Sequence, residues 1–231
     1  MKQIPLPIGF EAEPTFDDVI PGENALALTC LRQMALPGPP VYLCGPAGSG
    51  KTYLLAALAH DVRHAGGRTG WFDAEAPLPW EFDEGWSLIV IDGAERLDAA
   101  HQHAAFRLFI EASTAGIQMA SAGRQPPVSL NVREDLRTRF GWGPVFMLQP
   151  LSDAGMRYAL DREAQRQGLT LPDEVLDYLL GHFERDLSKL MDVLHRLDRF
   201  ALARKRPATV PLLKRMLAEE QQDGWDESRP L

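Results

Sequence analysis

Cysteine is scarce in this chain. There are two among 231 residues, Cys30 and Cys44, and they form no C-x-x-C pair. That excludes a disulfide framework and points to reduced thiols in a cytosolic protein. Cys44 lies in an apolar run and is expected to be buried packing. No apolar stretch is long enough to cross a bilayer, and no signal peptide is expected. Positive charge is also short: 24 Lys and Arg face 32 Asp and Glu, a formal net charge of −8. That balance argues against a general nucleic-acid coat, which must neutralise phosphates, and leaves room only for a local basic patch. Internal repeats and long low-complexity tracts are absent. What remains is ordinary for a globular protein, 45% hydrophobic and 24% charged. The length suits one α/β domain with a small appendage around a proper core.

Against this background one segment stands out. Gly45-Pro46-Ala47-Gly48-Ser49-Gly50-Lys51-Thr52 fits the phosphate-loop pattern G-x-x-x-x-G-K-[ST] at every position. It follows the apolar run Val41-Tyr42-Leu43-Cys44 and opens a segment with Leu54, Leu55, Leu58, Ala59 and Val62 at helical spacing. Glycines let the backbone curl so that N–H groups point at phosphate oxygens, and the helix N-terminus adds partial positive charge. Lys51 would reach the β- and γ-phosphates, and Thr52 would ligate Mg²⁺.

Residues 1–22 read as an extended arm rich in Pro, Gly and acids. A helix is expected over Asn24–Met34, ending before the breaker Pro37-Gly38-Pro39-Pro40. Strands are expected near 41–45, 69–73, 87–92, 116–121 and 144–148, with helices near 50–65 and 99–115. Residues 74–85 read as loop or a short helix. Alternating strands and helices imply a parallel sheet covered on both faces. After Pro150 the pattern turns wholly helical, with segments near 152–167, 173–183, 186–204 and 210–219. The tail from Gln221 to Leu231 reads as frayed.

A phosphate loop needs a metal-orienting acid at the end of a neighbouring strand, and Asp92 fits, at the tip of Leu88-Ile89-Val90-Ile91. A residue that orients the attacking water often comes next, but here it is Gly93. Glu95 lies two positions further on and is read as a solvated helix-start acid. The chain thus looks built to hold nucleotide and poorly built to hydrolyse it alone.

Further segments carry a resemblance. They are Thr15-Phe16-Asp17-Asp18 with Pro21-Gly22-Glu23-Asn24; Asp135-Leu136-Arg137-Thr138-Arg139-Phe140-Gly141-Trp142-Gly143; Leu148-Gln149-Pro150-Leu151-Ser152-Asp153; and Arg185-Asp186-Leu187. With the phosphate loop and the Asp92 strand, the chain resembles AAA+ ATPases of the DnaA clade, and among them the Hda regulators of replication initiation. The likeness covers about residues 10 to 218. It implies a P-loop AAA+ α/β domain, a three-layer parallel sheet over 11–150, followed by a small all-helical lid domain over 151–220 and a flexible tail, 221–231. It implies ADP or ATP with Mg²⁺, bound by Gly45, Pro46, Ala47, Gly48, Ser49, Gly50, Lys51, Thr52 and Tyr53, by Phe16 and Pro21 at the adenine, and by Arg185 as sensor 2. Thr52 and Asp92 would hold the metal. Arg139 falls where the family places its arginine finger, which acts on a neighbouring subunit's γ-phosphate. The alternatives are plain ion pairs, Arg139 with Asp135, and Arg185 with Glu184 or Asp186. The sensor-1 segment, Ser121-Ala122-Gly123-Arg124, departs from the family by placing Gly123 where relatives carry a polar or acidic residue.

The arm Gln3-Ile4-Pro5-Leu6-Pro7-Ile8, residues 1–10 in all, resembles the sliding-clamp binding motif Q-x-x-L-P-[LI]. Its prolines favour an extended backbone that loses little entropy on docking, and Gln3, Leu6, Pro7 and Ile8 would make the contacts. The alternative is a disordered leader. The resemblance implies a bacterial cytoplasmic regulator, associated with the nucleoid and replisome. It would bind the DNA polymerase III sliding clamp (β subunit), stimulate ATP hydrolysis by DnaA, contact DNA only indirectly or weakly, and self-associate with nucleotide. A self-sufficient ATPase such as a DnaC-like helicase-loading factor, or a non-catalytic adaptor, are the competing functions. His101-x-His103 lacks further ligands at zinc spacing and reads as a solvated helix start. Arg204-Lys205-Arg206 with Lys214 and Arg215 reads as a charged outer face, or else as a contact with clamp-bound DNA. About a dozen residues follow the lid, so a helix-turn-helix reader is expected to be absent.

Overall fold

Runs of four apolar residues make two of the inner strands. Val41–Cys44 (β1) and Leu88–Ile91 (β3) are buried at every position, as strands covered on both faces must be. The computed structural model describes residues 13–226, with side chains to residue 220. With Thr69–Phe72 (β2), Gln118–Gly123 (β4) and Val145–Met147 (β5) they form one sheet in the order β2-β3-β4-β1-β5. Every neighbouring pair is parallel. Ala25–Arg32 (α1) and Lys51–His64 (α2) cover one face, where Leu28, Leu55 and Leu58 meet Val41, Leu43, Leu88 and Val90. Ala99–Ala115 (α3) and Glu134–Phe140 (α4) cover the other, where Leu108, Phe109, Leu136 and Phe140 meet Tyr42, Ile89, Ile91 and Met119. Alternation along each strand sends its side chains to both cores. The architecture is the expected three-layer parallel α/β unit.

Local chemistry sets the boundaries. Asp98 caps α3 by accepting from the N–H groups of Ala100 and His101. The helix stops at Gly116 in the left-handed region, so β4 begins at Gln118 rather than Gly116 and runs on to Gly123. Helix α4 is absent from the sequence reading. It is short, it has Glu134 and Asp135 in its first turn and Arg137 and Arg139 in its last, and it buries Leu136 and Phe140 one turn apart. Residues 74–85 form loop, and that loop delivers Trp80 into the core against Phe72.

The described residues fall into two compact units, 13–46 with 50–148, and 149–226 with residues 47–49. The second unit is wholly helical: Asp153–Arg166 (α5), Asp173–His182 (α6), Leu187–Arg204 (α7) and Val210–Asp226 (α8). Ser152 caps α5 and Asp186 caps α7. Leu190, Val193, Leu194, Leu197 and Ala201 form the buried stripe of α7, against Met156, Leu160, Leu179 and Leu213. Helix α8 continues past the expected Glu219 to Asp226. No helix among the described residues is long and apolar enough to cross a membrane.

Leu194 has no exposed surface and sits at the centre of the helical core. Leu194→Ala should cost about 2–5 kcal/mol by loss of contacts and a residual cavity, read as a lowered urea midpoint for the transition that reports on the helical unit.

Candidate functional site

The phosphate loop joins β1 to α2. Gly48 and Gly50 take left-handed backbone, φ +73° and +87°, and Gly50 forms the N-cap of α2. Lys51 Nζ donates to Gly45 O (2.8 Å) and Pro46 O (2.7 Å), which folds its ammonium over the loop. Burial pushes the Lys51 pKa down, and the Glu95 and Asp92 carboxylates push it back. Thr52 Oγ1 donates to Asp92 Oδ2 at 2.6 Å. A hydroxyl beside a carboxylate is a hard-oxygen donor set that suits Mg²⁺. Curled backbone, ammonium and paired oxygens fit a polyphosphate with its divalent cation. Tyr53 is part-exposed on the first turn of α2, and Ser49 is buried in the loop. Within the second unit, Gly48 packs against the Arg185–Asp186 backbone, where an added Cβ would meet Arg185 O and Asp186 Cα at 3.1 Å.

Glu95 is exposed at a helix start, as expected, and it also has a partner. Left-handed Gly93 (φ +68°) and the 3-10 turn Ala94–Arg96 fold it back over the end of the sheet. Its Oε2 accepts from Arg124 N (3.0 Å), its Oε1 lies 3.4 Å from Arg124 Nε, and its side chain is 24% exposed. The Gly93 N–H donates to Asp92 Oδ1 (2.9 Å). An acidic side chain at position 93 would have to adopt that left-handed backbone, at roughly 1–2 kcal/mol.

Gly123 has a steric reason for its identity. A Cβ there would overlap the Tyr42 hydroxyl and lie 3.1 Å from Glu95 Oε2. Tyr42 is fully buried and donates to Gln125 O (3.2 Å). Burial pushes its phenol pKa far up, and the Glu95 charge adds to this. The phenol thus fills the space that a side chain at position 123 would need. Hydrophobic patterning reads Tyr42 only as core, because its hydroxyl meets Gly123 through the strand register, Tyr42 opposite Ser121.

The two arginines lose their suggested ion pairs. Asp135 is held by Arg133, at 2.6 and 3.2 Å, and Arg139 instead lays its guanidinium over the Trp142 ring, 3.7 Å from the centroid. Arg185, 70% exposed, pairs with Asp153 at 3.1 Å, while Glu184 pairs with Lys189 and Asp186 caps α7. Phe16 is 4% exposed and packs in the core with α1 and α2, so its ring is a support for the neighbouring turn. Pro21 is exposed and opens that turn, accepting from Asn24 N–H. Gln3, Leu6, Pro7 and Ile8 lie outside the described residues.

Other readings resolve locally. His103 is exposed at the start of α3, as expected, while His101 is tucked in, with Nδ1 2.7 Å from Asp98 Oδ1 and its ring against Trp80. No cluster of potential metal ligands is found among the described residues. In the basic stretch Arg204 and Arg215 both pair with Glu219, which favours a charged outer face.

Residues 153–217 match the family model for the Hda lid domain. Domain III of DnaA from Thermotoga maritima is similar in structure, with a TM-score of 0.73 and 20% identity over 89% of this chain and 95% of that one. AMPPCP-bound DnaA from Aquifex aeolicus gives 0.67 and 20% over 90% and 70%. The Thermotoga maritima RuvB branch migration motor gives 0.62 and 14% over 85% and 67%. These structural likenesses establish the fold.

The overlap at Gly123 makes a quantitative expectation. Gly123→Ala should destabilise the protein by about 1–3 kcal/mol, the usual range for overpacking. Tyr42→Phe removes the clashing oxygen and leaves the ring Cζ 3.3 Å away, so the double variant should recover most of that loss in a double-mutant cycle.

Proposed function

We propose that this Hda-like AAA+ protein of the DnaA clade is a negative regulator of DNA replication initiation. It works in the bacterial cytoplasm, at the replisome. The arm, residues 1–10, docks on the DNA-loaded sliding clamp through Gln3, Leu6, Pro7 and Ile8. The AAA+ domain over 11–150 and the lid over 151–220 hold ADP or ATP. Gly45 to Tyr53 cradle the phosphates, Lys51 pairs with the β- and γ-phosphates, Phe16 and Pro21 back the adenine, and Arg185 reaches the phosphates from the lid. Thr52 and Asp92 would hold Mg²⁺, which neutralises phosphate charge when bound. Arg139 then completes the active site of a neighbouring DnaA-ATP and promotes hydrolysis to DnaA-ADP, which starts replication poorly. Nucleotide also governs self-association.

One observation carries this reading. The curled loop, Lys51 and the Thr52–Asp92 pair suit a nucleotide, the positions read as water-orienting are glycines, Gly93 and Gly123, and Arg139 has no carboxylate partner among the described residues. That division supports catalysis supplied to a neighbour over turnover at its own site. A finger of this kind contributes roughly 10³–10⁵ in rate in the systems where it is measured.

Hydrolysis of labelled ATP pre-bound to DnaA, with clamp loaded on DNA, tests the proposal. Added protein should accelerate hydrolysis, and deletion of residues 1–8 should remove the effect. Arg139→Ala should abolish stimulation while leaving clamp capture and nucleotide affinity unchanged, whereas Lys51→Ala should lower nucleotide affinity. No acceleration by folded, nucleotide-bound protein overturns the reading.

A further inference from the structure

We infer that Trp142 is the positioning residue for Arg139, and that the Gly141-Trp142-Gly143 turn exists to hold its ring as a platform. The inference rests on the reading of Arg139 as the finger. Arg139 ends α4, and its guanidinium carbon sits 3.7 Å from the centre of the Trp142 ring, well inside cation–π range. Trp142 N–H donates to Arg139 O (3.2 Å), which closes the turn and brings ring and guanidinium together.

A stack restrains an arginine differently from an ion pair. It engages the flat face of the guanidinium and leaves the in-plane N–H donors available for phosphate oxygens. A carboxylate would occupy those donors. The nearest carboxylate in sequence, Asp135, is taken up by Arg133 through two contacts. Prestacking also removes part of the rotamer entropy that a long side chain would lose on docking.

The platform itself is anchored by backbone. A Cβ on Gly143 would overlap Pro40 O and lie 3.0 Å from Pro39 Cβ, so the turn is pressed against the segment that leads into β1. Pro144 O accepts from Tyr42 N–H (3.0 Å), which fixes the next residue. Trp142 borders a cavity of about 250 Å³ with Pro37, Pro40, Phe109 and Ile117, yet stays 55% exposed. One part of the indole faces this apolar wall while the ring carries Arg139.

The test titrates full-length protein against clamp-bound DnaA-ATP and separates the maximal hydrolysis rate from the half-saturating concentration. Trp142→Ala should lower the maximal rate about tenfold, with the half-saturating concentration changed by less than about twofold; Trp142→Phe, which keeps an aromatic face, should restore most of the rate. In the isolated protein, the Arg139 Hε resonance should be shifted upfield by the indole ring and return toward its ordinary position in Trp142→Ala. That readout needs no DnaA and no activity. A full maximal rate in Trp142→Ala, with Arg139→Ala inactive, overturns the positioning role and leaves the finger intact. A change confined to the half-saturating concentration makes Trp142 a docking contact and also overturns it. Full activity in Arg139→Ala removes the finger, and the inference with it. Should Trp142→Ala fail to fold, as judged by its thermal melt, the Trp142→Phe titration and the wild-type Hε shift decide: an unshifted resonance overturns the stack.

Discussion

The first unit depends on one crowded strand. β4 is buried at all six positions and lies between β3 and β1, with helices above and below. Its last four residues, Ala120, Ser121, Ala122 and Gly123, are small, and a Cβ on Gly123 would overlap the Tyr42 hydroxyl. The same smallness serves the chemistry. Thr52 follows β1 and Asp92 follows β3, so their 2.6 Å hydrogen bond links two strands with β4 between them. At the start of the strand, the Gln118 amide accepts from Gly38 N–H (2.6 Å) and donates to Pro39 O (2.9 Å), fastening the loop that feeds β1. Packing and site geometry are therefore one constraint.

That constraint also accounts for what the site lacks. Gly123 is compelled by the phenol of Tyr42, and Gly93 sits in backbone that disfavours any other residue. Glu95, the remaining acid nearby, is engaged through both carboxylate oxygens by Arg124. These are three separate local arrangements, and none leaves an unengaged acidic side chain at these positions. The loop over residues 45–52 and the Thr52–Asp92 hydrogen bond are untouched by these closed positions. Both depend on β1, β3 and α2, which the core holds in place.

Much of this was legible in the sequence, and the reasons differ by element. Strands β1 and β3 declare themselves as continuous apolar runs, and the phosphate loop as a fixed spacing of Gly, Lys and Thr. The helical second unit is readable from the stripe on α7 and the caps Ser152 and Asp186. Helix α4 escaped because seven residues with two buried positions give little periodicity to detect. The Glu95–Arg124 contact is hidden because one left-handed glycine reverses the chain direction, and sequence distance then says nothing of where the carboxylate goes. The Tyr42–Gly123 contact depends on register across two strands 80 residues apart, and His101 on a loop that folds over it. Interactions made by one element are visible in advance; those made by meeting elements wait for the fold.

The two cysteines divide along the same inside–outside line. Cys44 is sealed in β1, its thiol against Phe146 O and Met147 Sδ and its pKa pushed up by burial. Cys30 is exposed on α1. Thiolate reactivity follows exposure and pKa, so the unaltered protein offers a single handle for a fluorophore or spin label. It lies on the helical layer opposite α3 and α4, the layer that carries Arg139 and Trp142, so a probe there would report on the protein without occupying that face.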